Sequence, residues 1–288
     1  MGALAELAQG WRRRRWRPDA EALAAYAGLK PFTVVTGGSD GIGLALARRF
    51  AAAGNNLLLL ARRPDPLEAA ANAIRAASQV EVATAAVDIT AADAVAAIEA
   101  ALQACGGYAD ILINSAGIGA AGPFADQSPE TLIRLVELNV RALTVLSRHF
   151  LPGMRVRGRG GILNLASLGS YTPGPQQAAY YASKAYVLSL SEAVAAETAG
   201  EGVRVCALAP GPVATRFHAR MGAERAFYRA LVPPASADAV ARAGYLGFVL
   251  GWRVTVPGLL GPPLALGMRV MPHRLLVPIV AWLLHPRG

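Results

Sequence analysis

The chain has 288 residues, 54% of them hydrophobic and 16% charged, with a mean hydropathy of +0.35. That composition excludes a disordered chain and supplies enough apolar side chains for a sizeable core. The net charge is +9, and of the 28 cationic residues two are lysines, Lys30 and Lys184. No apolar run reaches the roughly 18 residues that span a bilayer. The two cysteines, Cys105 and Cys206, do not form a CxxC pair, and no secretory leader is evident, so the expected setting is reducing and cytoplasmic.

Residues 1–30 carry a net +3 and form a basic N-terminal arm, expected to be helical. Within it, Trp11 and Trp16 bracket four arginines. This segment reads either as a peripheral contact with anionic lipid, tryptophans at headgroup level, or as a solvated arm covering part of the fold. Residues 31–202 are close to neutral at −2, whereas 203–288 carry +8. The middle has no basic stripe with interleaved aromatics, which argues against a nucleic-acid partner.

From Pro31 short apolar runs alternate with Ala-rich stretches. Strands are expected at 32–36, 56–61, 80–87, 111–114, 161–166, 203–209 and 253–256. Most lack polar alternation, the pattern of strands buried on both faces. Helices are expected at 43–53, 66–77, 91–105, 129–157 and 178–200. The alternation implies right-handed βαβ units and an α/β fold, a doubly wound parallel sheet of about seven strands in three layers. One domain is expected over 31–258, followed by an apolar and basic extension at 259–288.

The first strand runs into Thr36-Gly37-Gly38-Ser39-Asp40-Gly41-Ile42-Gly43 and then a helix. Glycines there allow a tight turn and close approach of backbone to a pyrophosphate, whose charge suits the helix N-terminus. The spacing is TGxxxGxG, and at this point the chain resembles the short-chain dehydrogenase/reductase family, with its Rossmann-type fold. The second strand ends Leu60-Ala61-Arg62-Arg63 with no acid, so NADP(H) is expected in preference to NAD(H): Arg62 would meet the 2′-phosphate and Arg63 would stack on adenine. The resemblance further implies that Asp88 bonds near the adenine ring. It also makes Asn114-Ser115-Ala116-Gly117 the counterpart of an NNAG element, with serine replacing the second asparagine. Pro210-Gly211-Pro212-Val213-Ala214-Thr215 resembles the family's PG motif, implying backbone contact with the nicotinamide amide at Val213 and phosphate contact at Thr215.

Tyr180 and Lys184 stand four apart, which on a helix places both on one face. With Ser167 thirteen residues earlier and Asn139 before it, they resemble the family's catalytic tetrad. A free tyrosine has a pKa of about 10; useful phenolate near neutrality means lowering it by about three pH units, about 4 kcal/mol. A cation at about 4 Å with an effective dielectric near 20 supplies a term of that size. Lys184 is that cation, assisted by the positive nicotinamide ring of oxidised cofactor, and a compact ammonium suits a proton relay better than a guanidinium. The resemblance assigns Ser167 to hold the substrate oxygen and Asn139 to fix a water connecting Lys184 to solvent.

The substrate loop is expected at 216–235, where Phe217, His218, Met221, Phe227 and Tyr228 give an apolar lining. His218 has no ligand-spaced partner, and no metal site is expected. The apolar extension resembles that of reductases related to long-chain 3-oxoacyl reductases and hydroxysteroid dehydrogenases. It would roof a greasy pocket, rest on a membrane, or bury itself against the fold or a partner. The expected partner is a small hydrophobic carbonyl or alcohol, interconverted by hydride transfer with tyrosine as acid and base. Homo-oligomers, dimers or tetramers, are the family's habit. A second class of reading is a membrane-surface scaffold or redox sensor that binds the cofactor and turns over incidentally.

Overall fold

The computed structural model describes residues 20–223, 226–228 and 233–285. Residues 11–18, the basic Trp/Arg segment, therefore lie outside the described residues, as do Glu224, Arg225 and 229–232 of the substrate loop.

Seven strands form one sheet: β1 (Lys30–Thr36), β2 (Asn56–Ala61), β3 (Val82–Ala86), β4 (Gly107–Asn114), β5 (Gly160–Leu165), β6 (Val203–Leu208) and β7 (Val254–Thr255). Every pairing is parallel, and the order is β3-β2-β1-β4-β5-β6-β7. Strands β1 to β3 build outward in one direction, and β4 then returns to the other side of β1. The carboxyl ends of β1 and β4 thus form the switch point where open α/β sheets bind ligands.

The apolar runs are buried on both faces because side chains alternate across a strand. Val35, Leu57 and Leu59 point to one layer, where they pack with Leu46, Phe50, Leu67, Ile74 and Phe248. Those partners come from helices α2 (Gly41–Ala52), α3 (Pro64–Arg75) and, late in the chain, α9 (Ala237–Val249). A short α1 (Ala20–Ala24) precedes the sheet. Phe32, Val34, Leu58 and Leu60 point to the opposite layer and meet Ile98, Leu102, Leu146, Phe150 and Ala195. That layer comprises α4 (Ala94–Ala104), α5 (Pro129–Val136), α6 (Leu143–Arg157) and α7 (Ala178–Glu197). The chain after the sixth strand adds α8 (Phe217–Met221), and the extension forms α10 (Gly261–Val270) and α11 (His273–Leu284).

All seven expected strands are present, though β4 starts four residues earlier than expected and β7 shortens to two residues. The stretch expected as one helix at 129–157 is interrupted by a π-helical segment, Glu137–Ala142, between α5 and α6. Such a segment inserts an extra residue into the helical ladder and re-aims the side chains within it. Asn139 is one of them. At the start of the sheet, Tyr26 packs edge-on against Tyr108 at 5.2 Å, and the Arg157 guanidinium lies 4.4 Å from both ring centres. This contact ties the described end of the N-terminal arm to β4 and α6.

Beneath the switch point runs a buried polar chain. Asn114 donates to Asn164 Oδ1 (2.9 Å) and Ser147 Oγ (3.0 Å), Asn164 donates to Ser191 Oγ (2.9 Å), and Ser191 donates to the Val187 carbonyl (2.6 Å). It cross-links β4, β5, α6 and α7 just behind the carboxyl ends of the strands. Asn164→Ala leaves the Asn114 amide and the Ser191 hydroxyl short of a partner, at about 1–3 kcal/mol for each buried group. Urea denaturation should show the lowered midpoint, and an unchanged midpoint would argue against the relay as a structural tie.

Candidate active site

At the end of β1, Thr36 Oγ1 accepts from the amides of Ser115 and Ala116, both at 3.0 Å. This clamps the glycine turn onto the chain that leaves β4. Gly37 and Gly41 both have positive φ, +67° and +56°, where a side chain strains the backbone. A Cβ on Gly43 would fall 2.4 Å from the Gly37 carbonyl, so the turn and the helix start can only close with glycine there. The Gly38 amide donates to the Leu60 carbonyl at 3.2 Å, bringing the turn to the end of β2.

Asp40 caps α2, accepting from the Gly41 amide at 2.8 Å. Its other oxygen pairs with Arg216 (2.8 Å) and Arg220 (3.1 Å) from the segment after β6. Two guanidinium groups and a helix N-terminus against one carboxylate leave a site electrostatically suited to a polyanion. Walled by bare glycine backbone and closed by these cations, the turn fits a dinucleotide pyrophosphate. The residues placed to hold it are Gly37, Ser39, Gly41, Ile42 and Gly43, all lining one cavity of about 410 Å³.

The same cavity is lined by Ala116, Gly117, Ser167, Tyr180, Lys184, Pro210, Gly211, Val213 and Thr215. Residues as far apart in sequence as Gly37 and Thr215 thus meet at the carboxyl edge of the sheet. Ser167 follows β5 in extended backbone and caps a 3₁₀ turn, Leu168–Tyr171, in a reciprocal capping box with Ser170. That turn is pinned to α7 by the Ser170 hydroxyl, which donates to the Lys184 carbonyl at 2.8 Å. Ser167 and Tyr180 line the cavity together, near enough for the serine hydroxyl to act on the phenol.

Lys184 is 5% exposed, its Nζ donating to the Leu165 carbonyl at 2.7 Å and lying 5.9 Å from the Tyr180 ring centre. Burial pushes its pKa down to about 8. Burial also pushes the Tyr180 phenol up to about 12, with the Ser167 hydroxyl acting in the opposite direction. In the protein without cofactor, desolvation therefore raises the phenol instead of lowering it. Both groups carry their protons at neutral pH.

Asn139 is buried and does not face the cavity. Its Oδ1 accepts from the Ile118 amide (2.9 Å), and its Nδ2 donates to the Ile118 carbonyl (2.8 Å) and Ser183 Oγ (3.1 Å). The side chain holds the segment that carries Gly117, just after β4, next to Lys184; a Cβ on Gly117 would sit 3.2 Å from Asn139 Oδ1 and 3.5 Å from Lys184 Nζ. Asn114 likewise sits behind the cavity, in the polar relay. Arg62, Arg63 and Asp88 are exposed and outside the cavity lining, on the β2–β3 side of the glycine turn. The Asp88 carboxyl is held below its usual range by the Thr90 amide, then by the Thr90 hydroxyl and the charges of Arg62 and Arg134, against partial burial.

The cavity is also lined by Tyr181 and Leu284, which no motif singles out, beside the apolar residues expected from the substrate loop and the extension. Tyr181 is partly buried and packs against Gly169 and Gly174, where a Cβ would meet its ring. It packs with Tyr228 and Met268 against Leu276, Val280 and Leu284 of α11. Leu264, Met268, Val280, Leu283 and Leu284 all line the cavity. Phe217 lies 5.5 Å from Tyr180, and Phe227 lies 4.5 Å from Trp282, ring centre to ring centre. Helices α10 and α11 thus wall and roof one end of the cavity.

A family model for short chain dehydrogenase matches residues 31–226. The chain belongs to the short chain dehydrogenase family. It is 39% identical over 188 residues to a short chain dehydrogenase of Pseudocercospora fijiensis, covering 65% of this chain and about 60% of that relative's length. It is 36% identical over 250 residues to 3beta-hydroxysteroid dehydrogenase 1 of Eggerthella lenta, covering 81% of this chain and 95% of the relative. Among solved structures, a short-chain dehydrogenase from Sphingobium yanoikuyae in complex with NADPH superimposes with a TM-score of 0.72 at 34% identity, over 80% of this chain and 88% of that one.

Proposed function

We propose that the protein is an NADP(H)-dependent oxidoreductase that interconverts an apolar ketone and its secondary alcohol. The observation that carries this reading is one cavity with two chemically distinct ends. A glycine-walled, cation-bordered end stands beside Tyr180, Ser167 and Lys184, and a greasy end is roofed by α10 and α11. The likeness to an NADPH-bound dehydrogenase and to a hydroxysteroid dehydrogenase supports both halves.

Bound along the glycine turn, the nicotinamide cofactor supplies or accepts the hydride. The protein's own residues manage the oxygen. Ser167 Oγ and the Tyr180 hydroxyl, both lining the cavity, would converge on the carbonyl oxygen. With its pKa near 12, Tyr180 retains its proton across the neutral range and donates it as negative charge develops on that oxygen. Lys184, buried and anchored on the Leu165 carbonyl, supplies the positive charge that stabilises the tyrosinate left behind. Asn139 positions the Ile118 segment against which Lys184 lies. In the oxidative direction the same groups run in reverse. Phe217, Tyr181, Tyr228 and the α10–α11 side chains exclude water and select for apolar substrates.

The preference for NADP(H) rests on Arg62 and Arg63, exposed at the end of β2 with no acid at the strand terminus. A charge-assisted bond is worth about 1.5–3 kcal/mol, tenfold or more in affinity.

Tyr180→Phe should lower kcat for ketone reduction by about 10²–10⁴-fold, the usual contribution of a positioned acid, with NADPH still binding. Steady-state kinetics beside a cofactor fluorescence titration checks this, and undiminished turnover would remove Tyr180 from the role. Arg62→Ala should weaken NADPH about tenfold or more and leave NADH nearly unchanged. Equal losses for the two cofactors would overturn the assignment of Arg62.

A further inference from the structure

The inner stripe of α11, Leu276, Val280 and Leu284, is buried toward the cavity. An outward stripe runs beside it: Leu275, Ile279 and Trp282 recur at spacings of four and three and are 57%, 48% and 58% exposed. On α10, Leu266 (63%) and Val270 (70%) are exposed as well. A helix that is apolar on its solvent side as well as its core side has a second surface that water does not stabilise. The chain from 259 to 288 contains no Asp or Glu, and Arg274 and Arg269 flank the patch, Arg269 staying 65% exposed beside Glu192 of α7 at 3.7 Å. No helix among the described residues is long and apolar enough to cross a membrane.

We propose that the outer face of α10 and α11 docks on the surface of an anionic lipid bilayer. Apolar side chains with a tryptophan on one face and arginines at its edge are the composition of helices that lie in the interface plane. The charge selects the lipid over a second copy of the chain, because two such faces pressed together would set basic edge against basic edge. Since the opposite sides of the same helices roof the cavity, docking sets that roof against the lipid.

The test is co-sedimentation of the full-length protein with phosphatidylcholine vesicles, with and without a third of phosphatidylglycerol. The Trp/Arg segment at 11–18 is then common to every arm. Leu275→Glu and, on the other helix, Val270→Glu remove apolar contacts from exposed positions outside the cavity lining; having both keeps the test valid if one variant fails to fold, as judged by circular dichroism. The expected result is binding to the phosphatidylglycerol vesicles that high salt weakens, and a loss of roughly tenfold or more in either folded variant. Absence of binding by the parent protein, or variants that bind as well as the parent, would overturn the proposal. So would a parent dimer that Leu275→Glu converts to a monomer without any vesicle binding, which would make the face a self-interface.

Discussion

The site depends on the burial of one ammonium group. Lys184 anchors its Nζ on the Leu165 carbonyl at 2.7 Å, and that carbonyl is the last of strand β5. A cation removed from water in this way is costly, and the structure around it is arranged to hold it in register. Ser170 grips the Lys184 carbonyl, Ser183 is bound by Asn139, and the Asn164–Ser191 bond fixes the next turns of α7 to β5. Because α7 is anchored at several points, Tyr180 one turn before Lys184 is set beside Ser167 without freedom to drift. The same burial sets the protonation states. Desolvation lowers the lysine and raises the tyrosine, leaving a neutral acid beside a cation, the pairing that ketone reduction uses.

Sheet topology supplies the second half. The reversal of strand order between β1 and β4 opens a crevice, and Thr36 joins its two lips by bonding the amides of Ser115 and Ala116. The glycine turn can then lie against Ala116 only because Gly37 has no side chain: a Cβ there would come within 3.1 Å of Ala116 Cα. The segment after β6 reaches back with Arg216 and Arg220 onto Asp40, so the two banks of the cavity are connected by ion pairs. In the proposed reaction these features place the cofactor's and the substrate's ends of the cavity on either side of Tyr180.

Much of this was legible in the sequence for identifiable reasons. Runs such as Leu57 to Leu60 are apolar at every position because both faces of a parallel strand are covered. The glycine turn and the Tyr180/Lys184 spacing are local patterns, so they survive without knowledge of the fold. What was missed is non-local or masked by composition. The π-helical segment that turns Asn139 inward leaves no mark in hydrophobic periodicity. Helices α10 and α11 contain Pro262, Pro263 and Pro278 and are apolar on two sides, so neither helical period nor amphipathic contrast announces them. Tyr181 sits next to the more conspicuous Tyr180, and its burial follows from Gly169 and Gly174, which are distant in chemistry from any motif. The expected lowering of the tyrosine pKa counts the charges of the lysine and of the oxidised nicotinamide ring, whereas in the protein alone desolvation is the dominant influence on the phenol.

The central claim, that burial holds Tyr180 as a neutral acid in the free protein, is tested most directly by ultraviolet difference titration of phenolate in the parent protein against Tyr180→Phe. Tyr180 is predicted to contribute no phenolate signal through pH 10, in keeping with a pKa near 12. A phenolate appearing near neutrality in the parent and missing from the variant would contradict the account.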